Sequence, residues 1–562
     1  MQIVAGLGTG TSPLVEYSLL VFGNLACEPG LCNGLISDGV AEVALRVACT
    51  IRWDGLESQA PRHALWILSR MIRFLDRCPD VSIQQFGFAL RTEVIPKVKA
   101  YIRAAARQIC GNRIHSANSQ VVSQLQVQTL MEAFWFLSEV SKMYSFLLIF
   151  DASGDDLALI TEGVIPLHVQ VCSDIDERAI GPFATESRLE HAVRDILTEE
   201  GDETSNPTVL PASIALASTR ILASLLAVTS RFVGPFKREL EPLPEDDLPI
   251  TFPFNPTFAE TLRADLSWTR ERIVYECFEV WCRELMYRIV QNDAPALTLR
   301  LACEPGDFKP ILAKDPARRT LTHEGVWLVV NLVAMATHLL DQRKLEINPL
   351  VRSRIDEILR SVIEFLASPC GLPVMWLCVA AAGFELRREA LYCLGNTLVF
   401  ASRLNEACAD TLTGDKQVEA FFAECKEMCE GGLFGDLANV LHQVGPHGDP
   451  DTVMGALKII EPVSRLVGAA ACANFALSSG IREACAQLED HPCKEIRDFT
   501  NVMGECLDAI VSDLEHGQLK HRDYFAPLCR PRGVVLSTTQ HAEGEDDGID
   551  FASLFPDGTG EE

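Results

Sequence analysis

An all-α fold built as a repeat array is what this sequence predicts, and three observations predict it. Most segments place apolar residues at helical spacing over about 10 to 18 residues between Gly, Pro or Asp, with few alternating Val/Ile/Thr runs. At 562 residues the chain is several times a typical domain. A short side-chain pattern also recurs along it on otherwise apolar helices.

The pattern is plainest in "HEGVWLVVNLVAM" at 323–335. At about 100° per residue, Glu324, Trp327 and Asn331 fall within roughly 60° of one another, while Val326, Val329, Val330, Leu332 and Val333 point elsewhere and can bury. In chain order, "EYSLLVFGN" at 16–24 carries Glu16, Leu20 and Asn24, with Glu28 just beyond. "HALWILSR" at 63–70 carries His63, Trp66 and Arg70, and "MEAFWFLSE" at 131–139 carries Glu132, Trp135 and Glu139. "REALYCLGN" at 388–396 repeats the offsets with Glu389, Tyr392 and Asn396. Leu20 to Trp66 is 46 residues, Trp66 to Trp135 is 69 and Trp327 to Tyr392 is 65. Helical repeats of the armadillo and HEAT kinds run ~40 to 47 residues, so the longer intervals imply insertions.

Composition marks where those insertions fall. "LTEEGDETSNPT" at 197–208 and the Pro-rich acidic 241–257 cannot continue helices, which places insertions near 196–208 and 238–258 of an array spanning 14–512. A third loop is expected at 443–451. Residues 1–13 read as a flexible N-terminus; their "GLGTGTS" fits neither a phosphate-binding nor a dinucleotide-binding pattern. No Lys or Arg follows Arg532, and 543–562 carries eight acids, so 533–562 reads as an acidic disordered tail. Within it "IDFASLF" at 549–555 is a candidate partner-binding segment.

Charge and cysteines limit the function classes. Lys and Arg total 49 against 77 Asp and Glu, a net −28, which argues against nucleic acid and anionic membrane surfaces and favours a basic partner. None of the 20 cysteines forms a C-x-x-C pair, so buried reduced thiols are expected and no metal or other cofactor. The longest apolar runs, such as 371–384, are 14 residues and fall short of the roughly 20 that span a bilayer. No G-x-S-x-G or H-E-x-x-H occurs and no acid/base set clusters, so no catalytic residue is assigned and an enzyme is not expected.

These motifs are where the chain resembles a known family, importin-α (karyopherin-α), the armadillo-repeat adaptor of nuclear import. "FGNLACEP" at 22–29 is similar to the family's "LGNIAGD" segment and "EALYCLGN" to its "EAAWAITN". "STRILASLL" at 218–226 resembles the one repeat in which Arg replaces Trp, which makes Arg220 that arginine and puts Ser224 in the Asn place. "SSGIREACAQLEDHPCKEIRDFTNVMGECL" resembles the capping segment, so the likeness covers roughly 14–510. It implies a right-handed superhelical solenoid of armadillo repeats whose third helices line a concave groove. Trp and Tyr rings would accept the stems of Lys and Arg, Asn amides would hold the peptide backbone, and Glu would meet the cationic heads.

The resemblance implies protein transport in cytoplasm and nucleus, with Lys/Arg-rich nuclear-localisation signals as partners. The peptide-binding set it selects is Glu324, Trp327, Asn331, Glu389, Tyr392 and Asn396, with Asn24, Glu28, Trp66, Glu132, Trp135 and Arg220 in the more altered N-terminal part. An export receptor would bind the C-terminal repeats. The first basic residue is Arg46, and "EYSLLVFGN" aligns within the family's third repeat, so recruitment of importin-β by a basic N-terminal segment is not expected. The alternative is a generic armadillo or HEAT interaction scaffold that reads no localisation signal.

Overall fold

The computed structural model describes residues 13–54, 56, 58–74, 86–111, 122–142, 158–179, 210, 212–232, 270–301, 316–408, 415–445, 447–519 and 524–529. Residues 1–12, the expected loops at 197–208 and 241–257, and the acidic 533–562 with its "IDFASLF" lie outside them.

Among the described residues every regular element is helical. The first eight helices are α1 (Pro13–Ala26), α2 (Pro29–Ser37), α3 (Val40–Ala48), α4 (Ala60–Phe74), α5 (Ile95–Gly111), α6 (Gln124–Lys142), α7 (Ile165–Ala179) and α8 (Ala212–Phe232). There follow α9 (Arg270–Gln291), α10 (Ala294–Leu301), α11 (Pro316–Leu345), α12 (Pro349–Ala367), α13 (Leu372–Ala381) and α14 (Phe384–Cys408). The last are α15 (Lys416–Met428), α16 (Phe434–Val444), α17 (Pro450–Val467), α18 (Ala469–Ser478), α19 (Ile481–Ala486) and α20 (Lys494–Glu515).

Their packing is ordered in rows. Helices α1, α4, α6, α8, α11, α14 and α17 form an inner row in which each packs against the next. In the C-terminal half the sets α9–α11, α12–α14 and α15–α17 repeat one plan: α9 packs on α12 and α12 on α15, while α11 packs on α14 and α14 on α17. A second row runs from α5 to α7 to α10, and again from α13 to α16 to α19. Helix α20 closes the C-terminal end on α18 and α19.

Local chemistry sets the boundaries. Asn348 accepts from the Leu350 N–H ahead of α12, Asp415 from the Gln417 N–H ahead of α15, and Asp449 from the Thr452 N–H and hydroxyl ahead of α17. Each carboxylate or amide oxygen satisfies a first-turn donor that the helix cannot, and Pro349 and Pro450 lead α12 and α17 where no N–H is needed. The expected loop at 443–451 is thus the junction from Gly445, which ends α16, to the Asp449 cap. Between α1 and α4 the approach is close: a Cβ at Gly23 would sit 2.3 Å from the Trp66 ring, so only glycine admits the indole there.

The valines expected to bury do so: Val326, Val329, Val330, Leu332 and Val333 are all within the core, each contributing about 1.5–3 kcal/mol relative to exposure. Two expectations need correction. Several helices outrun the expected 18 residues, α11 having 30, α14 having 25, and α9 and α20 having 22 each. And Thr320–Leu345 of α11 is long and apolar enough by length and composition to cross a membrane, contrary to the 14-residue limit read from uninterrupted runs. Isolated polar residues such as Asn331 break the run without lowering its mean hydropathy below that of a span, and 78% of the window is buried inside the fold, where α11 packs on α8 and α14. The described cysteines form no disulfide and most are buried, and burial pushes the Cys393, Cys472 and Cys485 thiols up to about 12.

One buried polar node ties the rows together. His168 of α7 lies fully buried, with Nδ1 2.7 Å from the Ser218 hydroxyl of α8 and Nε2 3.1 Å from the Thr298 hydroxyl of α10. Burial lowers its pKa to about 4, so the ring is neutral and has one N–H to donate; the Ser218 and Thr298 hydroxyls donate to the Ala215 and Ala294 carbonyls, and the Cys172 thiol lies 3.6 Å from Nε2. The unfolded ring binds a proton near pH 6.5 and the folded one does not, so stability present above that pH is lost as pH falls towards 4. Denaturant titration should show a loss on the order of 2–3 kcal/mol between pH 7 and 4.5 that His168→Asn does not share; equal losses in both proteins would refute this node.

Candidate functional site

Because each inner-row helix is covered by its neighbours on two sides, only a narrow strip of its surface is left for polar chemistry. The recurrent pattern lies on that strip. Trp66, Trp135, Trp327 and Tyr392 are all half-buried, and Trp135, Trp327 and Tyr392 pack partly on the core.

At the N-terminal end the pattern is fragmentary. Asn24 and Glu28 are exposed on and just after α1. Glu16 serves the fold instead: its carboxylate accepts from the Ser58 hydroxyl at 2.5 Å and the Gln59 N–H at 3.0 Å, where the chain enters α4.

Between α4 and α6 the carboxylates expected to meet a peptide's cations meet the chain's own. Arg62 donates to Gln128 at 2.9 Å and lies 4.0 Å from Glu132. Arg73 reaches Glu139 at 2.9 Å and Lys142 reaches it at 3.3 Å. Burial alone would raise the Glu139 pKa, but Lys142 and Arg73 outweigh it and hold the carboxyl at about 2. Glu139, standing where the pattern has Asn, is therefore a fixed anion inside a cationic frame.

Arg220 of α8 joins three helices. Its guanidinium lies 5.4 Å from the centroid of the Trp135 ring on α6, within cation–π range, and its Nε donates to Glu324 of α11 at 2.5 Å. Arg220 thus occupies the place a peptide guanidinium was expected to take beside Glu324. Ser224, in the Asn position of the same helix, is buried with its hydroxyl lacking a described partner.

Two complete rungs follow on neighbouring helices. On α11, Asn331 donates its Nδ2 to the Trp327 carbonyl at 2.8 Å, which fixes the amide and leaves its oxygen as the remaining acceptor. On α14, Glu389 is 1% exposed with Arg388 at 3.7 Å, and Asn396 is 6% exposed with no described partner for its Nδ2. The Tyr392 hydroxyl is pushed up by burial and by the carboxylates of Asp451, Glu389 and Asp449, against a smaller opposing effect of Arg388. The α14 rung thus faces an acidic surround to which α17 contributes.

Sequence reasoning missed Asp449 and Asp451, both inside the expected loop 443–451; the structure makes them the cap and a first-turn residue of α17. A capping signal ahead of Pro450 was there to be read; that the cap borders Tyr392 depends on how α17 packs against α14. Among the described residues no group of three or more His, Cys, Asp or Glu is arranged to hold a metal. The strip offers rings, amides and paired charges, which suit binding. No protein-family model matches the chain, and no curated protein matches it.

The Arg220–Glu324 pair is nearly buried, so removing one partner strands the other. Arg220→Ala or Glu324→Leu alone should lower stability by about 3–5 kcal/mol in chemical denaturation, and Arg220→Met with Glu324→Leu should recover most of it. Additive losses in the double variant would contradict the pairing.

Proposed function

We propose that the chain is an importin-α-like adaptor: a right-handed superhelical solenoid of armadillo repeats that reads Lys/Arg-rich peptides of the nuclear-localisation type and works between cytoplasm and nucleus. The three-helix plan repeated along the C-terminal half, and the pattern carried on its inner row, support the solenoid reading. The observation that carries the binding reading is the α14 rung. Glu389, Tyr392 and Asn396 share one helix face, with Asp449 and Asp451 close enough to act on the Tyr392 hydroxyl.

The chemistry follows from these groups. A lysine or arginine stem packs between the Trp327 and Tyr392 rings, with its head met by the exposed Asp451 and drawn at longer range by the buried Glu389. Asn396 Nδ2, buried and without a described partner, turns outward to donate to a peptide carbonyl, and the Asn331 oxygen accepts a peptide N–H, so backbone is held whatever the neighbouring side chains. Glu324, bound to Arg220, orders the α8 and α11 faces and is not the cation receptor. The peptide site is accordingly shorter than the full pattern, centred on α11 and α14.

Titration of a fluorescent basic localisation peptide should give micromolar or tighter binding at low salt. Tyr392→Ala with Asn396→Ala should weaken it at least tenfold, from the loss of one cation–π contact and one hydrogen bond at about 1 kcal/mol each. A chain indifferent to basic peptides, or a double variant that binds as the natural chain does, would overturn the reading.

A further inference from the structure

The N-terminal end of the same strip has the opposite electrostatic character. Arg62, Trp66, Arg70 and Arg73 of α4 lie within roughly 80° of one another around the helix. Lys142 of α6 and Arg220 of α8 bring the described cations along this part of the strip to five, against the three carboxylates of Glu132, Glu139 and Glu324. In a chain of net charge −28 this is a local positive excess. Arg70 is half-buried and makes no hydrogen bond or ion pair with any described residue.

We propose that the acidic stretch 543–562 of this chain docks on the α4 and α6 end of the inner row. That stretch carries eight acids, and no Lys or Arg occurs after Arg532. Its "IDFASLF" segment adds Phe551, Leu554 and Phe555, apolar groups suited to the half-buried Trp66 and Trp135 rings, while Asp550 and Asp557 flank them for the arginines. The reach is sufficient. From α20 back to α4 through α17, α14, α11, α8 and α6 is six helix spacings, roughly 50–60 Å. Residues 530–542 extend to roughly 45 Å at ~3.3–3.6 Å each, and the acidic residues beyond add more. The other end of the strip repels the stretch, because Glu389, Asp449 and Asp451 gather there. One strip is thus polarised, taking cations at α14 and anions at α4. The docking does not rest on the basic-peptide reading.

The test uses the full chain with the eight acids of 543–562 changed to Gln and Asn, titrated with a fluorescein-labelled peptide of residues 541–562 and followed by anisotropy. Saturable binding at 50 mM NaCl is expected, weakened at least tenfold at 300 mM by screening. In the same background Arg70→Glu should weaken it at least fivefold, as should Lys142→Gln, which guards against a folding defect in the first variant. The natural chain should bind the added peptide at least tenfold more weakly, because its own stretch competes at high effective concentration. No binding to the neutralised chain, no effect of either substitution, or equal binding by the natural chain would overturn the proposal. A basic localisation peptide bound equally by the Arg70→Glu variant would leave the α11–α14 reading standing in any of those cases.

Discussion

The packing of each inner-row helix between two others is the constraint on which the rest of this structure depends. Helix α11 lies against both α8 and α14, and α14 against both α11 and α17, so each must be apolar on two opposed sides. What remains is one strip about two residues wide per turn, and only offsets of three, four and seven keep side chains on it. Chemistry on this molecule is therefore linear: one strip per helix, laid side by side. An extended peptide suits such a surface better than a small molecule does.

The strip is not uniform, because the chain has filled part of it. Charges that must desolvate when helices pack tightly find partners first within the protein, and Arg220 shows how far this goes. It touches the Trp135 ring on one side and the Glu324 carboxylate on the other, linking α6, α8 and α11 through one side chain. The pairs of Arg62 with Glu132 and of Arg73 with Glu139 do the same between α4 and α6. Towards α14 the strip keeps a ring, an amide donor and several carboxylates, and Arg388 lies beside Glu389 on the same helix.

What the sequence disclosed follows from which contacts are local. The all-helical class was legible from periodicity, and so was the grouping of Glu324, Trp327 and Asn331, because offsets within one helix are fixed by its geometry. The burial of Val326, Val329 and Leu332 followed for the same reason. The pairing of Arg220 with Glu324 joins residues 104 apart and depends on how far α8 is shifted along α11, which no local pattern encodes. The His168 node was missed likewise, since Ser218 and Thr298 meet it from two other helices. Asp449 announced itself as a helix cap, but its place beside Tyr392 is a property of the α14–α17 contact. The unbroken-run rule misjudged α11 because it counts polar interruptions and ignores average hydropathy.

The central claim is that an extended basic peptide is read by the α11 and α14 strips. The most direct measurement is a crystal structure of the full chain with a bound Lys/Arg-rich localisation peptide. The account predicts an extended peptide whose backbone is bonded to the Asn331 and Asn396 amides, with one cationic stem between Trp327 and Tyr392 and its head near Glu389 and Asp451. A peptide seated elsewhere, or one reaching Glu324 with Arg220 displaced while the α14 rung stays bare, would contradict it.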